Sequence, residues 1–173
     1  MKTKLFLLLT AVLLAGCTKQ GERAERILPG EPVPDFQTWT VGGVNVSSVD
    51  LLGKPGLVVF FSTTCPDCKV QMPEVEAAYR TLGDEVVFLA IAREEDAQTV
   101  SRYWKDAGYT MPVAAPGKRD IYNLFDRGSG SGVPLIIFFD ADGVVTGSSD
   151  DKNLLEAYQI VDWFLFDISL NKS

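Results

Sequence analysis

The residues of this sequence with the greatest capacity for chemistry are its three cysteines, two of which stand close together. The Cys-Pro-Asp-Cys motif of residues 65–68 follows an apolar run at residues 57–61 and precedes a stretch with helical spacing of apolar residues. A cysteine at the start of a helix meets unpaired backbone N–H groups and the positive end of the helix dipole, which favour the thiolate. The two-residue spacer brings the second sulfur within bonding reach one turn later. The motif therefore predicts a redox pair, with Cys65 as exposed nucleophile and Cys68 as buried resolving thiol.

Other roles for the motif have less support in the residues. A structural disulfide would close a very short loop and add little stability by the loop-entropy argument. The chain has no histidine, which excludes Ser-His-Asp and Cys-His catalysis and leaves a zinc site short of ligands. A copper(I) site made of two thiolates stays open. We expect no metal and no separate cofactor, because the Cys65–Cys68 disulfide can itself carry the electrons.

The composition is that of a folded, acidic chain with one domain and appendages. The 173 residues include 23 acidic and 16 basic side chains, which gives a formal net charge of −7, and 46% are hydrophobic. This length allows a substantial core. An acidic chain without a block of Lys and Arg has no electrostatic footprint for nucleic acid.

The N-terminal residues have the pattern of an export signal. A basic head precedes an apolar run at residues 5–16, which is too short for a membrane-spanning helix because that needs about 20 apolar residues. The run ends in Leu14-Ala15-Gly16-Cys17 and closely resembles the bacterial lipobox, in which the cysteine is acylated. We therefore predict a signal peptide at residues 1–16 and lipidation of Cys17; an ordinary secretory signal is the alternative.

The remainder of the chain divides into a predicted linker and a predicted domain. Residues 17–35 are polar and contain several prolines, so we expect a lipidated N-terminus followed by a flexible tether. Residues 36–173 are expected to fold as one domain. The location that follows is the bacterial cell envelope, with the domain facing the periplasm or the outer side of the membrane.

The domain is predicted to alternate strands and helices, an order that indicates an α/β layer fold with an antiparallel edge. The predicted strands are a hairpin at 36–46 and single strands at 57–61, 86–92, 134–139 and 144–147. The predicted helices are at 66–82, 94–107, 121–125 and 154–170.

From about Pro32 to Gly147 the sequence resembles the TlpA/ResA-type thiol-disulfide reductases of the thioredoxin superfamily. The matching pieces are Pro32-Val33-Pro34-Asp35-Phe36, Leu51-Leu52-Gly53-Lys54-Pro55, the strand at 57–61, the motif at 65–68, Pro73, Gly132-Val133-Pro134 and Asp142-Gly143. The resemblance implies a thioredoxin-like fold, with a central mixed sheet flanked by helices, an N-terminal β-hairpin and an enlarged central region.

The resemblance also implies a substrate-binding surface around the cysteine pair. In this family the proline that matches Pro134 is cis and faces the two cysteines. A cis bond there leaves the backbone of Val133 available to pair with an extended substrate. We expect Val133, Pro134 and the two residues between the cysteines, Pro66 and Asp67, to contact substrate.

The chain departs from the family at the positions where acids manage the proton of the buried thiol. Thioredoxins bury an acid on the strand before the motif, where this chain has Val59. Many of the reductases have a glutamate three residues after the second cysteine, where this chain has Gln71. The candidates for proton handling are therefore Gln71 itself and Glu74, the nearest carboxylate, with Asp67 as the next alternative.

The resemblance implies a membrane-anchored thiol-disulfide oxidoreductase that reduces disulfides of envelope proteins and is recharged by a membrane thiol-electron donor. Asp67 opposes thiolate formation beside it, and a less stabilised thiolate makes a more reducing couple. The family includes reductases of cytochrome c maturation, although no residue here identifies an apocytochrome.

Two alternatives stay open. A peroxiredoxin-type thiol peroxidase would have Thr three residues before its reactive cysteine, and this chain has Ser62 there. A non-catalytic thioredoxin-fold binding lipoprotein is suggested by the last predicted helix, in which Trp163, Phe166 and Leu170 share a second apolar face.

Overall fold

The computed structural model describes residues 26–128 and 132–171. The predicted signal peptide, the predicted lipidation site Cys17 and the first part of the predicted tether lie outside the described residues. The side chains of residues 166–171, and with them Phe166 and Leu170, also lie outside the description.

A five-stranded mixed sheet forms the centre of the domain. Its strands are β3 (Gly56–Phe61), β4 (Val87–Ala92), β5 (Val113–Ala114), β6 (Leu135–Phe139) and β7 (Val145–Asp150), in the order β5-β4-β3-β6-β7. Central β3 runs parallel to β4 and antiparallel to β6. All six residues of β3 are buried, as expected for a continuous apolar strand covered on both faces. A separate antiparallel pair, β1 (Gln37–Trp39) and β2 (Asn45–Ser47), forms the predicted N-terminal hairpin.

Among the residues that the structure describes, four α-helices flank the sheet: α1 (Pro66–Leu82), α2 (Ala97–Ala107), α3 (Asp120–Phe125) and α4 (Ala157–Asn171). Helix α1 begins at Pro66, where the missing backbone N–H of proline costs nothing because the first N–H groups of a helix have no partner within it. Its buried face, which includes Met72, Val75 and Ala78, packs into the core. The predicted fold class is confirmed.

The structure departs from the predicted elements in several places. Helix α2 begins at Ala97 rather than at residue 94, because the Asp96 side chain accepts the Thr99 N–H at 2.9 Å and caps the helix there. Strand β7 continues to Asp150, beyond the predicted end at residue 147. Strand β5 is missing from the prediction, because two residues are too few to show the alternation of apolar and polar residues that marks a strand. It pairs with Ala90 and Ile91 of β4.

The predicted flexible tether at residues 17–35 is wrong for its second part. Ile27 is only 1% exposed, and its N–H donates to the Phe125 carbonyl at 2.8 Å. The Gly30 N–H donates to Val145 O and the Val33 N–H to Gly143 O, both at 2.8 Å. The edge of the sheet at β7 offers free backbone acceptors, and this segment satisfies them although its prolines and polar residues suggested a linker.

The exposed apolar face predicted for the last helix is also partly covered. The Trp163 ring stacks on Phe138 with centroids 4.5 Å apart and is still 41% exposed. Its Nε1–H donates to the Thr146 hydroxyl at 3.3 Å. Trp163 therefore belongs largely to the packing of α4 on the sheet. Within the described ranges, the helices lack the combination of length and hydropathy needed to cross a bilayer.

Candidate redox site

Strand β3 and helix α1 together place the two cysteines. Cys65 precedes the first residue of α1, where its N–H donates to the Ser62 carbonyl and its own carbonyl accepts the Lys69 N–H, both at 3.2 Å. Its side chain is half-buried, whereas Cys68, one turn further, is completely buried. Both residues are free thiols in this structure. The difference in exposure is the one that an attacking and a resolving thiol require.

The chain opposite the motif supplies the second wall of the site. The Val133–Pro134 peptide bond is cis, as predicted. The Cys65 thiol donates to the Val133 carbonyl at 3.0 Å, although the two residues are far apart in sequence. On the other side of Val133, the Gly132 carbonyl accepts the Tyr122 hydroxyl at 3.2 Å, which fixes the path of this segment. The structure therefore brings Cys65, Val133 and Pro134 together.

Pro66 and Asp67 lie on the outer side of the motif and are exposed, whereas Val133 and Pro134 are buried. The exposed pair and the carbonyl of Val133 border the Cys65 sulfur from two sides. A substrate-contacting role for these four residues stays a prediction, and it is compatible with their positions around Cys65.

Burial sets the ionisation of the resolving cysteine. It raises the pKa of the Cys68 thiol far above its ordinary value. The Ser62 N–H, which donates to Cys68 Sγ at 3.5 Å, offsets this effect only in part, and the neighbouring Cys65 and Asp67 increase it. Cys68 is therefore a protonated thiol at neutral pH, and its attack on a mixed disulfide requires that the proton be removed.

The two predicted proton-handling side chains, Gln71 and Glu74, form hydrogen bonds with the start of α4, and their role in proton handling stays a prediction. Gln71 is 1% exposed; its Nε2 donates to Leu155 O at 2.8 Å, and its Oε1 accepts Leu155 N–H at 2.7 Å. Glu74 Oε2 accepts the N–H of Ala157, the first residue of α4, at 3.0 Å. A carboxylate at a helix N-terminus is a stabilising cap. Both side chains therefore join α1 to the start of α4, which is why that helix begins at residue 157 rather than at 154.

Sequence reasoning missed Glu95, a carboxylate in direct contact with the loop before Cys65. Its Oε1 accepts hydrogen bonds from the Ser62 hydroxyl at 2.7 Å, the Thr63 N–H at 2.6 Å and the Thr63 hydroxyl at 3.2 Å. A signal for it was present in the sequence. The carboxyl ends of neighbouring parallel strands meet at one edge of a sheet, so an acid just after β4 is brought beside the residues just after β3.

Tyr103 of α2 approaches the pair from the helix side. Its ring stacks on Phe61 with centroids 6.2 Å apart. Burial raises the pKa of Tyr103, and the neighbouring Tyr109 and the two cysteines raise it further. It is therefore a neutral phenol at physiological pH. Within the described residues, no group of three or more His, Cys, Asp or Glu side chains is arranged to hold a metal ion.

A dithiol at the start of a helix, opposite a cis-proline, on a sheet of this topology defines a thioredoxin-like thiol oxidoreductase. Residues 28–156 match the redoxin family, and the chain belongs to that family.

Named relatives agree with this assignment. The thiol-disulfide oxidoreductase ResA of Bacillus subtilis is 24% identical over 142 residues, covering 79% of this chain and 78% of that protein. The thiol:disulfide interchange protein DsbE of Pseudomonas fluorescens is 28% identical over 142 residues, covering 82% of this chain and 77% of that protein. A crystal structure of a thioredoxin-family thiol:disulfide interchange protein from Chlorobium tepidum is 31% identical, with a TM-score of 0.63, and the match covers 80% of this chain and 98% of that one. The protein is a thiol-disulfide oxidoreductase of the ResA/DsbE type.

Proposed function

We propose that this protein is a lipid-anchored reductase of disulfides in proteins of the bacterial cell envelope. The observation that carries the proposal is the contact of the Cys65 thiol with the Val133 carbonyl at 3.0 Å, beside cis-Pro134, with Cys68 buried one turn behind. This arrangement leaves one sulfur open to a polypeptide and protects the other for an internal reaction.

The reaction has two exchange steps. The Cys65 thiolate attacks a sulfur of the substrate disulfide; a mixed disulfide forms, and the released substrate sulfur takes up a proton. Cys68 then loses its proton and attacks Cys65, so that the Cys65–Cys68 bond forms and the second substrate sulfur leaves as a thiol. Two electrons have passed from the pair to the substrate, and no cofactor besides the redox-active disulfide is needed.

The backbone of Val133 suits the first step. Its carbonyl accepts the Cys65 proton in the reduced protein. Once Cys65 has lost that proton, the carbonyl has no donor from the sulfur and can accept an N–H from an extended substrate segment. Exposed Pro66 and Asp67 would border the same segment on its other side.

The reducing direction is supported by the charges beside the pair. Burial and the Asp67 carboxylate raise the pKa of Cys68, so the dithiol is not stabilised as a thiolate. A couple whose reduced form gains little stabilisation from its thiolate donates electrons more readily. A membrane protein with an exposed dithiol would return the oxidised pair to the reduced state.

Attachment through lipid on Cys17 would keep the domain in the envelope. The support is the Leu14-Ala15-Gly16-Cys17 sequence after a short apolar run. Replacement of Cys17 by Ala should move the protein from the membrane fraction to the soluble fraction. Unchanged fractionation would contradict lipid anchoring without affecting the redox chemistry.

The proposal is tested by trapping substrates. Cys68→Ser removes the resolving sulfur, so mixed disulfides with substrates should accumulate and appear as high-mass bands on non-reducing gels that disappear with dithiothreitol. The Cys65→Ser/Cys68→Ser double variant is the matched control and should trap nothing. A Cys68→Ser protein that forms no envelope-protein adducts in cells, while remaining folded, would refute the proposed function.

A further inference from the structure

Glu95 is the carboxylate that reaches into the loop between β3 and α1. One of its oxygens, Oε1, accepts all three of its hydrogen bonds, from Ser62 and Thr63, with the shortest at 2.6 Å. Two of these donors are hydroxyls and one is a backbone N–H. The side chain therefore fixes both the backbone and the side chains of this loop.

The second oxygen of Glu95 is in an unusual position for a carboxylate. Oε2 is buried and has no hydrogen-bond partner among the described residues. Within the same residues, no basic side chain forms an ion pair with Glu95, because the nearby Arg93 and Arg119 pair with the adjacent Glu94 instead. A carboxylate that is partly buried and has no ion pair acts on its surroundings more strongly than a fully solvated one does.

Ser62 connects this carboxylate to both cysteines. Its hydroxyl donates to Glu95, its N–H donates to Cys68 Sγ at 3.5 Å, and its carbonyl accepts the Cys65 N–H at 3.2 Å. Ser62 is itself buried. A substitution at Glu95 can therefore act on each cysteine through a single intervening residue, Ser62.

The carboxylates expected at this site are absent or engaged. Val59 stands on the buried strand where an acid was a candidate, and Gln71 and Glu74 bind the start of α4. Glu95, by contrast, contacts the loop of the redox motif and keeps a free oxygen.

We propose that Glu95 is a positioning residue of the redox site, which orients Ser62 against both cysteines and whose negative charge disfavours the thiolate of the pair. The consequence is a dithiol that stays protonated and donates electrons more readily than it would beside a neutral side chain. This inference rests on the thiol-disulfide chemistry but not on the lipid anchor or on the identity of the substrate.

Other charged or titratable groups face the pair and must be held constant in a test. They are Asp67 on α1 and Tyr103 on α2. Glu94 supplies a matched control, because it is an acid next to Glu95 that is exposed and paired with arginine.

The experiment compares Glu95→Gln with Glu94→Gln in the full chain. Glutamine keeps an oxygen for the three hydrogen bonds and removes the charge. The readouts are the pH dependence of iodoacetamide alkylation of the reduced protein and the equilibrium with glutathione. For Glu95→Gln we expect the alkylation midpoint to move to lower pH, the rate at pH 7 to rise about threefold or more, and the glutathione equilibrium to shift toward the dithiol to a similar extent. Glu94→Gln should match the wild type in both.

Glu95→Ala is the second variant and keeps the proposal testable should the glutamine variant fold poorly. It also lacks the charge, so its alkylation profile must move in the same direction. A folded Glu95→Gln protein with unchanged profile and equilibrium would overturn the proposal, as would an equal shift in Glu94→Gln. None of these readouts needs an envelope substrate, so a failure here is distinguishable from a failure of the trapping experiment.

Discussion

Two glutamates hold loops across this domain, and they do so in different ways. Glu76 of α1 is buried, and both of its oxygens are engaged: Oε1 by Thr110 and Arg80, and Oε2 by the Met111 N–H at 3.1 Å. Glu95 holds the loop before Cys65 with one oxygen and leaves the other without a partner. A carboxylate whose hydrogen bonds are complete stabilises a fold. A carboxylate with a buried oxygen that has no hydrogen-bond partner can instead affect the ionisation of nearby groups. Here those groups are the two cysteines.

The largest predicted effect is a loss of folding stability when Glu76 is replaced, and it tests the contrast between the two glutamates. Glu76→Ala leaves the Met111 N–H and the Thr110 groups without their acceptor, so we expect a loss of about 3 kcal/mol in the free energy of unfolding. The rate of thiol alkylation should stay at the wild-type value. Urea denaturation and alkylation of the same preparation measure both quantities, and a large change in alkylation would break the distinction between the two glutamates.

The second effect is the smaller cost expected at the other glutamate. Glu95→Ala should lower the free energy of unfolding by about 1 kcal/mol, because it also removes a buried oxygen that has no partner, and this offsets part of the loss of the three hydrogen bonds. Denaturation under the same conditions gives the direct comparison. A loss as large as that of Glu76→Ala would mean that Glu95 is primarily a structural anchor.

The third and smallest effect is a pH dependence of stability. Burial alone would raise the pKa of Glu76, but the hydrogen bonds from Thr110, Met111 and Arg80 outweigh it and hold the pKa below its ordinary value of 4.5. A lowered folded-state pKa contributes stability above that ordinary value, and the contribution is lost as pH falls through the folded-state pKa. The difference in melting temperature between wild type and Glu76→Gln should therefore narrow from about pH 6 to about pH 3. A constant difference would show that the carboxylate form has no advantage in the fold.

The redox motif and its supporting elements could be predicted because their signals are local. The apolar run of β3 and the proline after Cys65 fix a strand end and a helix start within a few residues. The position of Cys65 opposite cis-Pro134 followed from family resemblance, since sequence spacing alone gives no contact between residues so far apart.

What could not be predicted depends on tertiary contacts. The segment at residues 26–35 has the composition of a linker. It packs on the domain because its backbone forms hydrogen bonds with the free edge of the sheet at β7. Gln71 and Glu74 lie on the correct helix for proton handling, but the start of α4 takes up their hydrogen-bonding groups. Glu95 was missed because its role depends on two strands lying side by side.

If lipid on Cys17 anchors the protein as proposed, the packing of residues 26–35 restricts the orientation of the domain at the membrane. Arg26 bridges to Asp126 and pairs with Asp150 at 2.9 Å, and Asp150 lies opposite Leu135, the residue after cis-Pro134. The chain thus enters the fold at the same end of the sheet as the cysteine pair. With lipid on Cys17, the chain from Cys17 to Arg26 would span at most about 30 Å and would connect the membrane to that end of the domain. The reactive sulfur would then lie at the end of the domain nearer to the bilayer.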